Sequence, residues 1–213
     1  MRQHIIFDQS LWQVFSIFHE KGEMLPFFEH VQDGLVEGEP FSQEFIQCRV
    51  KSLAIEEANY EREILQPLYQ IDIKKELHFW VKYTSVSVLN CIVLLAYLSK
   101  QKEKKCIVIH WVHPTTMQKM SITTIFSLTP FLRAYQEIVC QKHVIRTGIW
   151  AFDHLMSVYQ DAMDDNGILT QYLNRYAYMG DENLVHLLMS KFWQLGYTDE
   201  KFLSLIAEKK RKK

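Results

Sequence analysis

Apolar positions alternate along this chain between short unbroken runs and longer stretches in which they recur every three to four residues. Ile5-Ile6-Phe7 passes through Asp8-Gln9 into a segment where Leu11, Val14, Phe15 and Phe18 return at helical spacing. This predicts a strand, a turn and an amphipathic helix. Ser10-Leu11-Trp12-Gln13 has the form of a capping box, and Lys21 with Gly22 offers a basic last turn and a terminal glycine. Met24 to Val31, interrupted by Pro26, predicts a second strand, followed by the glycine-punctuated loop Asp33 to Pro40. Phe41 to Tyr69 is rich in Glu, Gln, Lys and Arg and lacks glycine, which predicts one or two solvent-facing helices. The next three segments are a strand Leu77 to Val81, a helix Val86 to Ser99 that is apolar almost all round, and a strand Cys106 to Val112. With the charged turn Lys100 to Lys105, they make a βαβ unit, which requires a parallel sheet.

From Phe126 onward the period is helical. Phe152, Leu155, Met156 and Tyr159 form one stripe, Leu169, Tyr172, Leu173 and Tyr176 a second, and Leu184, Leu187, Leu188, Phe192 and Leu195 a third. Gly196 closes the third helix, and Thr198 is placed to cap a last one bearing Phe202, Leu205 and Ile206. The expected architecture is therefore α/β, a small parallel sheet of about four strands with flanking helices. It occupies residues 1–128, and a helical C-terminal region follows over 129–213.

The chain has 213 residues, 48% of them hydrophobic and 13% aromatic, enough for one substantial core and a smaller satellite. Its formal net charge of -1 provides no field for nucleic acid or an anionic membrane. The basic run Lys209 to Lys213 is read as a solvated helix end that complements the helix dipole, which argues against nucleic acid as a partner. Cys48, Cys91, Cys106 and Cys140 form no C-x-x-C pair, so no metal site is expected. They read as small buried hydrophobes in a cytoplasmic protein. The longest apolar run, Val86 to Ser99, contains Asn90 and falls short of the roughly 20 residues that cross a bilayer. Trp12, Trp80, Trp111, Trp150 and Trp193 all lie in apolar periodic segments and are expected in the core.

Neither strand-to-helix turn carries the glycines of a phosphate-binding loop. Asp8-Gln9-Ser10 and Lys82-Tyr83-Thr84-Ser85 cannot bring backbone amides against a pyrophosphate as G-x-G-x-x-G does. No cofactor is expected. Ligands of open parallel sheets bind beyond the carboxyl ends of the strands, and that rule gathers Asp8, Ser10, Asp33, Lys82, Tyr83, Thr84, His110, His113 and Thr115. The candidate site is Asp8, Ser10, Asp33, Lys82 and His110, suited to a small anionic or sugar-like ligand. The competing reading has Ser10 capping its helix, Asp33 bracing a turn and Lys82 solvated. His110 and His113 point to opposite sides of an extended segment and share no metal. A triad of Ser10, His110 and Asp33 lacks the G-x-S-x-G elbow.

Several of these segments resemble a bacterial family called domain of unknown function 1835. Asp33-Gly34-Leu35-Val36-Glu37-Gly38 is similar to its Asp-x-Leu-x-Glu-Gly-Pro turn, Leu77-His78-Phe79-Trp80 to its Leu-Trp strand, and Arg49 with Leu53-Ala54 to its following helix. Pro130-Phe131-Leu132, Gly148-Ile149 and Met179-Gly180-Asp181 extend the resemblance downstream. Where the family has Gly-Asp-Ser this chain has Asp8-Gln9-Ser10, and where it has Glu-His-Asp this chain has Lys82-Tyr83-Thr84. The stretch from Trp111 to Thr129 is also shorter. The resemblance thus implies that any catalytic site of the family is lost or remodelled here. The expected function is a ligand-binding or interaction module. The alternatives are nucleic-acid binding through the helical region, and a transferase acting on a phosphorylated small molecule.

Overall fold

The computed structural model describes residues 2–101 and 106–211. A five-stranded sheet runs in the order β2-β1-β3-β4-β5. The strands are β1 (Arg2–Ile6), β2 (Glu23–Pro26), β3 (Glu76–Lys82), β4 (Ile107–Val112) and β5 (Lys119–Ile125). The first four are mutually parallel, with Ile5 opposite Phe79 and Phe79 opposite Ile109. The α/β class and the parallel β3–β4 unit expected from the sequence are both present. Part of the charged turn that joins the unit lies outside the described residues.

β5 is an addition. It pairs antiparallel with β4, placing Ile122 opposite His110, and its Ile122-Thr123-Thr124-Ile125 stretch has the β-branched composition of a strand. β2 is shorter than its apolar run. Pro26 is its last residue, tolerated because β2 is an edge strand, and the Phe27 amide after it still donates to the Ile6 carbonyl of β1 at 2.9 Å.

Alternation divides the sheet residues between two unequal layers. Ile5, Phe79, Ile109 and Trp111 join the main core. Against it pack α2 (Gln43–Leu53), α3 (Glu57–Tyr60), the π-helical stretch Glu61–Leu65 with α4 (Gln66–Tyr69), α5 (Ser85–Ser99), and α6 (Thr129–Ala134) with its π-helical continuation Tyr135–Cys140. α7 (Trp150–Met163) also belongs to this core, through Phe152, Leu155, Met156 and Tyr159. A separate cluster joins α8 (Ile168–Arg175), α9 (Asp181–Lys191) and α10 (Asp199–Arg211). The opposite face of the sheet is covered by α1 (Gln9–Val14) and a 3-10 turn, Phe15–Phe18, which bury Ile6, Trp80 and Val112.

α5 is buried on nearly every side, as its composition predicts, and Asn90 within it accepts the Val31 amide at 3.1 Å. α1 ends earlier than its sequence pattern suggests. His19 turns left-handed at φ 52°, and Gly22, at φ 153°, passes so close to β1 that a Cβ would lie 2.7 Å from the Arg2 carbonyl. Gly22 therefore serves a close approach to β1 instead of ending the helix. Thr198 caps α10 as expected, accepting the Lys201 amide at 3.2 Å.

Candidate functional site

Asp8, Ser10 and Lys82 converge at the carboxyl ends of β1 and β3. The Lys82 ammonium lies 2.8 Å from Asp8 Oδ1 and donates to Ser10 Oγ at 2.7 Å, while Ser10 Oγ donates to the same Asp8 oxygen at 2.6 Å. Asp8, not Ser10, is the N-cap of α1, accepting the Leu11 amide at 3.0 Å. The predicted capping box thus shifts by two residues, because an aspartate two positions upstream reaches the same free amides and also meets a lysine. Burial alone would raise the Asp8 carboxyl. Hydrogen bonds from Lys82 and Ser10 and the lysine charge outweigh that and hold it below the ordinary aspartate value. The cluster satisfies itself, and Lys82 is an ion-pair partner rather than a solvated side chain.

Asp33 belongs to a different network. Its loop is clamped by Arg49 of α2, which donates to the carbonyls of His30, Asp33 and Leu35. The same guanidinium forks onto Glu29 Oε1 from Nε at 3.0 Å and Nη2 at 2.6 Å, and Tyr60 donates to the other Glu29 oxygen. Glu29 and Arg49 are both fully buried. Burial, and after it the neighbouring Glu29 charge, push the Tyr60 hydroxyl well above its usual pKa. With Arg49 bracing the turn, the Asp33 carboxylate holds no backbone amide among the described residues. It accepts from Gln32 Nε2 at 3.0 Å and from Lys201 of α10 at 3.3 Å.

This pairing closes one wall of a cleft of 280 Å³ lined by Gln32, Asp33, Val86 and the segment from Gly196 to Ser204. Gly196, at φ 75°, presses on Thr84, the N-cap of α5, and Trp193 stacks on His113 at 5.2 Å. The C-terminal helical region therefore sits over the edge where ligands of parallel sheets bind. In the cleft wall, Gln32 Oε1 is buried with no donor among the described residues. Such an atom costs free energy until something donates to it.

His110 is not at this edge. It lies within β4 on the α1 side of the sheet, stacked on Trp80 at 4.2 Å and 9°. Its Nε2 is 2.8 Å from His78 Nδ1, and His78 Nε2 is 2.9 Å from the exposed Glu76. His4 completes the row: the Trp80 indole donates to His4 Nδ1 at 3.0 Å, which puts the His4 proton on Nε2, facing the Lys21 carbonyl. Burial, then the neighbouring His78 and Lys119, lower the His110 pKa to about 4. Its ring is neutral at pH 7, and its buried Nδ1 has no partner among the described residues. Ser10, His110 and Asp33 thus occupy three separate networks and form no triad.

Other expectations need adjustment. Cys91 is buried, Cys48 and Cys140 are half-buried, and Cys106 is exposed. Four tryptophans are buried or half-buried, but Trp150 is 74% exposed. In the tail, Lys210 pairs with Asp181 at 2.5 Å, and residues 212–213 lie outside the described residues. Among the described residues, no helix is long and apolar enough to cross a membrane, and no His, Cys, Asp and Glu group is arranged to hold a metal ion. The residues that sequence reasoning missed at the edge are Gln32, Lys201 and Ser204. Lys201 lies 168 positions from Asp33, and no local pattern links them. No family model matches the chain, nor does any curated protein or solved structure.

Proposed function

We propose that this chain is a small-ligand-binding module whose site is the cleft between Gln32-Asp33 and the start of α10. The reading rests on one observation: among the described residues, Gln32 Oε1 is a buried acceptor without a donor, set in a cleft wall beside a carboxylate that braces no backbone. Gln32 Oε1 and Asp33 accept hydroxyl donors. Lys201 offers a cation to an anionic group, and Ser204 adds a hydroxyl. A hydroxyl-bearing ligand with one anionic group, such as a sugar phosphate, matches that set. In this reading the Asp8-Ser10-Lys82 cluster fixes the start of α1 and does not touch the ligand. The free cysteines support a cytoplasmic location, and the resemblance to the family called domain of unknown function 1835 stays part of the proposal.

Thermal unfolding with a panel of sugar phosphates and nucleotides tests it. At least one member raises Tm, and the rise is lost in Gln32→Leu and reduced in Asp33→Asn. Asp33→Asn costs the free protein less than about 1 kcal/mol, because its partner Lys201 is partly exposed. A panel with no stabilising member, or a Tm rise that survives both substitutions, refutes the reading.

A further inference from the structure

A second cleft, of 530 Å³, lies along α7 and carries different chemistry. Phe152, Leu155, Met156 and Tyr159 turn one face of α7 into the core, which leaves Trp150, Asp153, His154, Ser157 and Gln160 along the other. Val144, Ile145 and Arg146 form the facing wall.

Trp150 has a fixed plane despite its exposure. Its ring stacks on His154, one helical turn on, at 5.3 Å and 2°. Tyr83, buried at the end of β3, stacks behind both at 6.3 Å from Trp150 and 6.1 Å from His154. The Gln194 amide lies 3.2 Å from His154 Nε2 and holds the imidazole in place. A large flat ring held this way, with a face in water, loses little freedom when a second ring covers it.

The two charged side chains of the cleft, Asp153 and Arg146, differ in what they meet. Asp153 is occupied: its oxygens accept the Thr147 amide at 2.6 Å, the Thr147 hydroxyl at 2.8 Å and the Gly148 amide at 3.2 Å. Arg146 pairs with no carboxylate among the described residues, so its guanidinium is free to meet an anion. Ser157 and Gln160 provide donors and acceptors for the edge of a ring.

We propose that this cleft binds a planar heteroaromatic molecule bearing an anionic group, of mononucleotide size, with its ring on Trp150 and its anion at Arg146. The cleft volume lies within the range typical of such sites. The site needs no glycine loop, because its anion contact comes from a side chain. It is independent of the Gln32-Asp33 cleft, so either can fail without the other.

Trp150 is the most exposed of the five tryptophans, so its fluorescence reports directly on a ring placed over it. The probes are adenosine 5′-monophosphate, adenosine and ribose 5-phosphate, titrated against the full chain by fluorescence and calorimetry. The nucleotide quenches saturably with Kd below about 1 mM, adenosine binds about tenfold more weakly, and ribose 5-phosphate does not quench. Arg146→Gln brings the nucleotide to the affinity of adenosine. Trp150→Ala abolishes calorimetric binding, and Trp150→Phe retains part of it. Far-UV circular dichroism stays at wild-type values in all three variants; Tm is unchanged in Arg146→Gln and falls by only a few degrees in Trp150→Ala, which loses its stacking on His154 and Tyr83. Absence of saturable quenching by the nucleotide, calorimetric binding that survives Trp150→Ala, or equal affinity for nucleotide and adenosine overturns the proposal.

Discussion

Replacing Arg49 by Met tests how the loop that carries Asp33 is held. The substitution keeps an apolar stem of similar length in a fully buried position and deletes the guanidinium. Glu29, with its side chain 1% exposed, then loses both prongs of its fork at 2.6 and 3.0 Å and keeps two neutral donors, the Tyr60 hydroxyl and the His30 amide. The carbonyls of His30, Asp33 and Leu35 lose the guanidinium as well, and Leu35 keeps a long contact to the Ser52 hydroxyl at 3.5 Å. Breaking a buried ion pair by removing one partner costs about 3–5 kcal/mol, because the remaining charge stays out of water. That is a large part of the roughly 5–15 kcal/mol that stabilises a domain. Urea unfolding followed by circular dichroism measures it. In the double variant Arg49→Met with Glu29→Leu, most of the loss is recovered, since no stranded charge remains. Arg49→Lys falls between, because an ammonium keeps the charge but not the fork. A loss below about 1 kcal/mol in Arg49→Met, or no recovery in the double variant, would refute the reasoning.

Two further outcomes follow from titration and capping. His110 is depressed from 6.5 to about 4 in the fold, so the unfolded chain binds the extra proton between those values. The resulting stability is complete above about pH 6.5 and declines as pH falls toward 4, by about 2 kcal/mol between pH 7 and 5. His4, also lowered by burial, adds to the same trend. His110→Phe flattens this slope, and an unchanged slope in denaturant melts at pH 5, 6 and 7 would count against it. Asp8→Ala removes the α1 cap and the carboxylate facing Lys82, and costs about 1–2 kcal/mol in urea melts, against less than about 0.5 for Ser10→Ala. The reverse order would restore Ser10 as the cap.

Local sequence determined the features that depend only on neighbours along the chain. Alternating short apolar runs and helical stripes fix β1, β3, β4, α5 and α7 through α10, because burying one face requires that period whatever lies opposite. The order strand, buried helix, strand forces β3 and β4 to be parallel. Thr198 caps α10 because its partner amide is three residues away. Choices between nearby or distant competitors were decided by tertiary structure. Asp8 took the cap from Ser10 because Lys82, from another strand, favoured the charged partner. His110 faces Trp80 instead of the ligand edge because the register of β3 and β4 sets its side. Trp150 stands in water while Phe152 is buried, since the rotation of α7 against α5 selects one stripe among several apolar positions. Asp33 found Lys201 across most of the chain, and the two clefts are spaces between elements brought together only by folding. Periodicity specifies which face of an element is apolar; what that face meets depends on contacts between residues far apart in sequence, whose geometry no local pattern encodes.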